Sequence, residues 1–265
     1  MGIARDHRFP GQGNLIWWLV CGGGVAREGG RRRRLDTETL SRLNRWSALC
    51  HARTERGPSM IEFHDATPGA TGHLIVAFTG ISQGLGGIPF EFHRSLGSVR
   101  AKALFVRDTS QCWYQYERTV VDATIDRIRA EAAAAGATRV SCIGNSMGGF
   151  GALLFGALCQ ADAILAFAPQ TTILPAQTAA MDDRRWQAHQ NRMEIFPFGD
   201  IDALPAPKAR VTVHYGADAP LDAAHAARLT WPHRRIAHPG CGHDVAKILR
   251  ERGELSDEIV KALFE

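Results

Sequence analysis

The sequence predicts an α/β fold in which helices flank a mostly parallel β-sheet. From residue 60 onward, short apolar runs alternate with helical segments, an order that requires parallel strands joined by right-handed crossovers. The run LIVAFT at 74–79 is apolar without interruption, as expected for a strand that is covered on both faces. A glycine-rich sequence at 144–149 lies between a further predicted strand and an apolar helical segment, which predicts a sharp turn at one edge of the sheet.

The individual elements follow from apolar runs that end at glycine, proline or charged residues. The predicted strands cover residues 60–64, 74–79, 103–106, 139–143, 163–168, 211–215 and 234–237. The predicted helices cover residues 117–135, 147–159, 223–229, 244–252 and 256–264. The longest stretch between two predicted core strands is residues 170–208, and it predicts a small cap or lid beside the site.

Residues 1–59 differ from the rest of the chain. They are rich in Arg, Gly and Trp and show little periodicity, apart from a helical pattern at 37–51. We therefore expect a poorly ordered N-terminal extension at 1–59, either an appendage or the product of an upstream start codon. The functional domain is expected at 60–265.

Charge and cysteine usage narrow the class of protein. The formal net charge of +4 comes from the run Arg31–Arg34, and the remaining sequence is close to neutral. We expect this run to be a solvated tail, with a docking arm for an acidic partner as the alternative, and we expect no binding of nucleic acid. The six cysteines form no C-x-x-C pair, which favours free thiols in a reducing compartment.

The sequence contains no apolar stretch long enough to span a membrane. The short apolar run at 15–21 resembles a weak signal peptide, but the run is short and four arginines follow it closely. A cytoplasmic location is the preferred expectation.

The sequence GNSMG at 144–148 matches the pattern G-x-S-x-G. It lies between the predicted strand 139–143 and the predicted helix 147–159, which is the strand–turn–helix setting that a nucleophile elbow requires. Its outer glycines leave space where larger side chains would clash with neighbouring backbone. The alternative is a tight turn with an incidental serine, but the setting favours Ser146 as a nucleophile.

A serine nucleophile needs a general base, and His243 is the best placed histidine. It lies in PGCGHD at 239–244, on a glycine-rich loop between the last predicted strand and a helix, where it can reach the same sheet edge as Ser146. The other histidines at or near the sheet fit packing or surface positions better. These are His214, His225, His233 and His238.

An aspartate should orient this histidine. Asp218 follows the predicted strand 211–215 and is the preferred choice, with Asp222 as the alternative and Asp108 as a third option. The chain order Ser, Asp, His agrees with this arrangement. For the oxyanion, the backbone N–H of Met147 and that of Ile81, which lies just after strand 74–79, are the expected donors.

These motifs resemble the α/β-hydrolase superfamily over residues 60–265. The resemblance depends on the strand succession, the GNSMGG turn, the acid after HYG and the GCGHD loop. It implies a parallel sheet and chemistry on esters, thioesters or amides by hydrolysis or acyl transfer. The segments FTGIS (78–82) and AFAPQT (166–171) are also similar to bacterial hydrolases encoded among surface-polysaccharide genes.

The expected function is that of a serine esterase that acts through an acyl-enzyme on a small-molecule or glycan-linked acyl substrate, without cofactor or metal. Two alternatives stay open. One is an acyltransferase with the same three residues, and the other is a non-catalytic accessory protein of polysaccharide biosynthesis. The sequence does not identify the substrate or the oligomeric state.

Overall fold

The computed structural model describes residues 61–65, 72–81 and 90–265, together with the backbone of two strands at 25–28 and 31–34. The helix expected at 37–51 and the apolar run at 15–21 lie outside these residues. The chain divides into two compact units, Met1–Pro58 and Ser59–Glu265.

The described part of the first unit is a pair of antiparallel strands, β1 (Val25–Glu28) and β2 (Arg31–Arg34). The run of four arginines, which we expected to be a solvated tail, forms strand β2.

The second unit is built on a seven-stranded sheet with the strand order β3-β5-β4-β6-β7-β8-β9. Only β3 is antiparallel to its neighbour, and the other neighbours are parallel, as the sequence predicts. The strands are β3 (Ile61–Asp65), β4 (His73–Phe78), β5 (Lys102–Asp108), β6 (Arg139–Asn145), β7 (Ala163–Phe167), β8 (Arg210–Gly216) and β9 (Arg234–His238).

Helices cover both faces of this sheet. They are α1 (His93–Leu96), α2 (Arg118–Ala134), α3 (Met147–Leu158), α4 (Pro175–Ala180), α5 (Gln187–Gln190), α6 (Pro220–Arg228), α7 (Val245–Glu251) and α8 (Leu255–Leu263), with a 3-10 turn at Ile201–Ala203. None of the helices described is both long and apolar enough to cross a bilayer.

Strand β4 shows how the sheet separates two apolar cores. Its alternate residues Leu74, Val76 and Phe78 pack with α2 and α3, whereas Ile75 and Ala77 pack with α1, α7 and α8. Because successive side chains of a strand point to opposite faces, an uninterrupted apolar run is what a strand covered on both faces requires.

The carboxyl ends of the parallel strands lie along one edge of the sheet, where α/β proteins usually place their sites. The loop after β6 carries Ser146, the chain after β7 carries Gln170, α6 after β8 carries Asp222, and the loop after β9 carries His243. The segment 170–208, where the sequence predicts a cap or lid, forms α4, α5 and the 3-10 turn.

Candidate active site

The turn between β6 and α3 holds Ser146 in a strained backbone conformation. Its φ of 55° and ψ of −119° lie outside the regions that non-glycine residues normally occupy. Two backbone hydrogen bonds maintain this turn, from Ser146 N–H to the Phe167 carbonyl at 2.8 Å and from Phe150 N–H to the Ser146 carbonyl at 3.1 Å. The hydroxyl is thereby fixed above the sheet edge.

The two outer glycines of this turn have no space for a side chain. A Cβ at Gly144 would overlap the carbonyl oxygen of Gly148, and a Cβ at Gly148 would overlap that of Phe78. The close approach of α3 to β4 and β6 therefore depends on both glycines.

A continuous hydrogen-bond chain leads from Ser146 to an aspartate. The Oγ of Ser146 lies 2.9 Å from Nε2 of His243, and Nδ1 of His243 lies 2.8 Å from Oδ2 of Asp222. A carboxylate only accepts hydrogen bonds, so Nδ1 carries the proton and Nε2 is free to accept one from the serine. The arrangement can withdraw the hydroxyl proton.

Asp222 is the aspartate that contacts His243, and Asp218 does not. Asp222 lies in the first turn of α6 and is fully buried, whereas Asp218 is exposed and its backbone N–H donates to the Cys241 carbonyl at 3.1 Å. The sequence placed the acid directly after β8, but Pro220 starts a helix there, and the first turn of that helix directs Asp222 toward the loop after β9.

The third aspartate considered, Asp108, organises a loop instead. Its carboxylate accepts backbone N–H groups from Cys112 at 2.7 Å and from Tyr114 at 2.8 Å, and Ser110 also donates to it. Asp108 thus shapes the loop at 110–114, which carries Trp113.

Arg185 binds the second oxygen of the Asp222 carboxylate. Its Nη1 donates to Oδ1 at 2.6 Å, and its own guanidinium is held by two hydrogen bonds to Asp183, at 3.0 and 2.7 Å. Burial alone would raise the pKa of Asp222, but the hydrogen bond and charge of His243, together with Arg185, lower it below the ordinary value. Arg185 therefore links the segment 170–208 to the buried acid.

The two expected oxyanion donors lie at the ends of neighbouring strands. Met147 is the first residue of α3, where a backbone N–H has no partner within the helix, and Ile81 follows β4 by three residues. The backbone just before Ile81 is held by Glu91, because Gly80 N–H donates to Oε2 at 3.0 Å.

Glu91 is a carboxyl group that the sequence did not single out. Asn145, the neighbour of the serine, also donates to it, at 3.4 Å. Burial raises the pKa of Glu91 to about 7, against the opposing effect of the hydrogen bonds from Gly80 and Asn145. No local pattern marks this residue, which reaches the site from the segment before α1.

Gln170 is a second residue that sequence reasoning missed. Its Nε2 lies 3.3 Å from Oγ of Ser146, so two side chains contact this hydroxyl. Its position just after β7 was the available signal, because strand ends along this edge meet at the site.

Across the described residues, no group of three or more His, Cys, Asp or Glu side chains is arranged to hold a metal ion.

Comparison with solved structures identifies the architecture. The capsule O-acetyltransferase of Neisseria meningitidis serogroup A aligns over 76% of this chain and 91% of its own, with a TM-score of 0.57 and 16% identity. An esterase of Pyrobaculum calidifontis aligns over 86% and 91%, with a TM-score of 0.53 and 11% identity.

A third match is the α/β hydrolase MGS-MChE2 from a lagoon-sediment metagenome in Morocco. It aligns over 78% of this chain and 97% of its own, with a TM-score of 0.51 and 18% identity. The chain has the α/β-hydrolase fold. In comparisons of sequence, neither a family model nor a curated protein matches this chain. Another structure of the Neisseria acetyltransferase is a complex with CoA.

Proposed function

We propose that this chain is a serine hydrolase that cleaves an ester or related acyl bond, with a small-molecule or glycan-linked acyl group as substrate. The observation that carries the proposal is the chain of hydrogen bonds from Ser146 through His243 to Asp222, at 2.9 and 2.8 Å, on a strained strand–helix turn. Esterases among the proteins of similar fold support the same class of chemistry.

In the proposed reaction, Oγ of Ser146 attacks the acyl carbonyl carbon while its proton passes to Nε2 of His243. Asp222 holds the imidazole and stabilises the charge that it gains. The N–H groups of Met147 and Ile81 receive the negative charge on the former carbonyl oxygen. The leaving group departs with the proton from His243, and water then releases the acid from the acyl-enzyme. These steps use no cofactor and no metal ion.

The test is labelling with a fluorophosphonate probe, which reacts with an activated serine. We expect the wild type and the control Ser98→Ala, at an exposed serine outside the site, to be labelled, and Ser146→Ala to stay unlabelled with an unchanged circular dichroism spectrum. Equal labelling of Ser146→Ala would refute the assignment. A folded wild type that takes no label would favour the accessory-protein alternative.

Acyl transfer is the second candidate, and the O-acetyltransferase of similar fold is the observation that favours it. The acyl-enzyme would be the same, but a sugar hydroxyl would replace water in the second step. Since that acetyltransferase also forms a complex with CoA, acetyl-CoA is the donor to compare with a simple ester.

The products of the reaction distinguish hydrolysis from acyl transfer. The wild type would be supplied with acetyl-CoA or p-nitrophenyl acetate, with and without a monosaccharide acceptor, and acetate and acetyl sugar would be quantified. Acetate as the main product in both cases supports hydrolysis. Acetyl sugar at the expense of acetate supports transfer.

A further inference from the structure

The hydroxyl of Ser146 has a second hydrogen-bonding partner besides His243. Nε2 of Gln170 lies 3.3 Å from Oγ, and both residues are buried, with 5% of Ser146 and 1% of Gln170 exposed. A buried amide that is left without hydrogen-bond partners is costly. The contact with Oγ of Ser146 therefore helps to satisfy the buried amide of Gln170.

The backbone bends after β7, and Gln170, just beyond the bend, contacts the serine. Ala168 has a φ of 42°, which is unfavourable for a residue with a Cβ, and its N–H donates to the His214 carbonyl at 2.7 Å. Just beyond Gln170, Thr171 is anchored by its hydroxyl to the His225 carbonyl at 2.8 Å. The segment is therefore fixed on both sides of Gln170.

Trp113 determines which end of the Gln170 amide faces the serine. The indole N–H only donates hydrogen bonds, and Nε1 of Trp113 lies 3.2 Å from Oε1 of Gln170. The amide oxygen is thereby occupied, and the amide nitrogen points at Oγ. Trp113 is itself fully buried, in the loop that Asp108 organises.

This orientation directs the single proton of the serine hydroxyl. Oγ accepts a hydrogen bond from Gln170, so the hydroxyl donates its proton toward Nε2 of His243, the direction that nucleophilic attack needs. The same N–H group also faces Oγ while negative charge develops on it, when hydrogen bonds are strongest.

We propose that Gln170 is a further catalytic residue, oriented by Trp113, that donates to Oγ of Ser146 and favours its deprotonation. This inference rests on the proposed function. Gln170 transfers no proton: the O–H bond of the serine breaks, the proton goes to His243, and the new O–C bond forms at the acyl carbon, while the amide keeps both of its hydrogens.

The test compares rates of fluorophosphonate labelling and kcat/KM for p-nitrophenyl acetate. Gln170→Met fills a similar volume without a donor and is expected to lower both rates by about 10-fold to 100-fold. Trp113→Phe removes the group that orients the amide and is expected to give a smaller loss of the same sign. The control Gln115→Met removes another buried amide, which bonds to the Phe198 backbone at 2.8 and 3.4 Å, and should leave the rate per folded molecule unchanged.

Gln170→Glu adds a readout that a merely structural role would not move. An ionised carboxylate cannot donate to Oγ, whereas a protonated one can. The ratio of variant to wild-type rate should therefore rise as the pH falls from 8 to 6. This variant also decides the question if Gln170→Met does not fold.

Wild-type rates in folded Gln170→Met, or a pH-independent ratio near one for Gln170→Glu, would overturn the role of Gln170 and leave the proposed function intact. A wild type that takes no label would instead refute the proposed function itself.

Discussion

Two aspartates only four positions apart, Asp218 and Asp222, have opposite environments. The Asp222 carboxylate is fully buried, and each of its oxygens accepts a hydrogen bond, one from His243 at 2.8 Å and the other from Arg185 at 2.6 Å. Asp218 is exposed. At the scale of single residues, the role of each side chain is set by the direction in which the backbone sends it.

This contrast gives a prediction with a matched control. Asp222→Asn should lower kcat for p-nitrophenyl acetate by about 10⁴-fold, because an amide does not hold the imidazole in the tautomer that can accept the serine proton. Asp218→Asn should stay close to wild type. A large loss in Asp218→Asn with little change in Asp222→Asn would reverse the assignment, and melting curves would show that both variants fold.

At the scale of elements, the strand–turn–helix unit of β6 and α3 depends on close backbone contact. Gly148→Ala should destabilise the protein by about 2 kcal/mol or more, because its Cβ would overlap the Phe78 carbonyl. The control Gly97→Ala should change stability by less than about 0.5 kcal/mol, since Gly97 has a helical φ of −64° and its Cβ would meet its nearest neighbour at 3.4 Å. Urea unfolding measures both; equal stability of the two variants would contradict the argument.

Local patterns in the sequence were sufficient to predict longer elements such as α2 and β5. The helix expected at 117–135 is found at Arg118–Ala134, and the strand expected at 103–106 is the centre of Lys102–Asp108. Apolar runs and helix-ending glycines act over a few residues, so they can be read directly. The short helices α1 and α5, of four residues each, give too little periodicity to be predicted.

The site was only partly predictable for a physical reason. Ser146 and His243 are marked by glycine-rich turns, although they lie 97 residues apart. Gln170 is marked only by its position just after β7, and Arg185 by no local pattern, because their contacts depend on how the chain after β7 turns back over the sheet edge. The choice between Asp218 and Asp222 depended on where α6 begins.

At the scale of the whole molecule, the sheet buries two histidines that must stay neutral. His73 on β4 lies 2.9 Å from the Ser141 hydroxyl on β6, and His214 on β8 lies 2.9 Å from His238 on β9. Burial, with nearby positive charge, lowers the pKa of His73 to about 4, and burial, with His238 and nearby cations, lowers that of His214 to about 3. The ordinary value is 6.5.

These shifts predict loss of stability in mild acid. In the unfolded chain both histidines bind protons below about pH 6.5, whereas in the folded chain they do so only near pH 4 and 3, so their contribution is complete above pH 6.5 and falls as the pH decreases. Between pH 7.5 and 5, each histidine should cost about 2 kcal/mol of unfolding free energy.

His73→Gln keeps a partner for Ser141 but binds no proton. Over the same pH change, the melting temperature of this variant should therefore decrease by roughly 4 °C less than that of the wild type. His93→Gln, at an exposed histidine, should follow the wild type. Identical decreases in wild type and His73→Gln would show that His73 does not contribute to acid sensitivity.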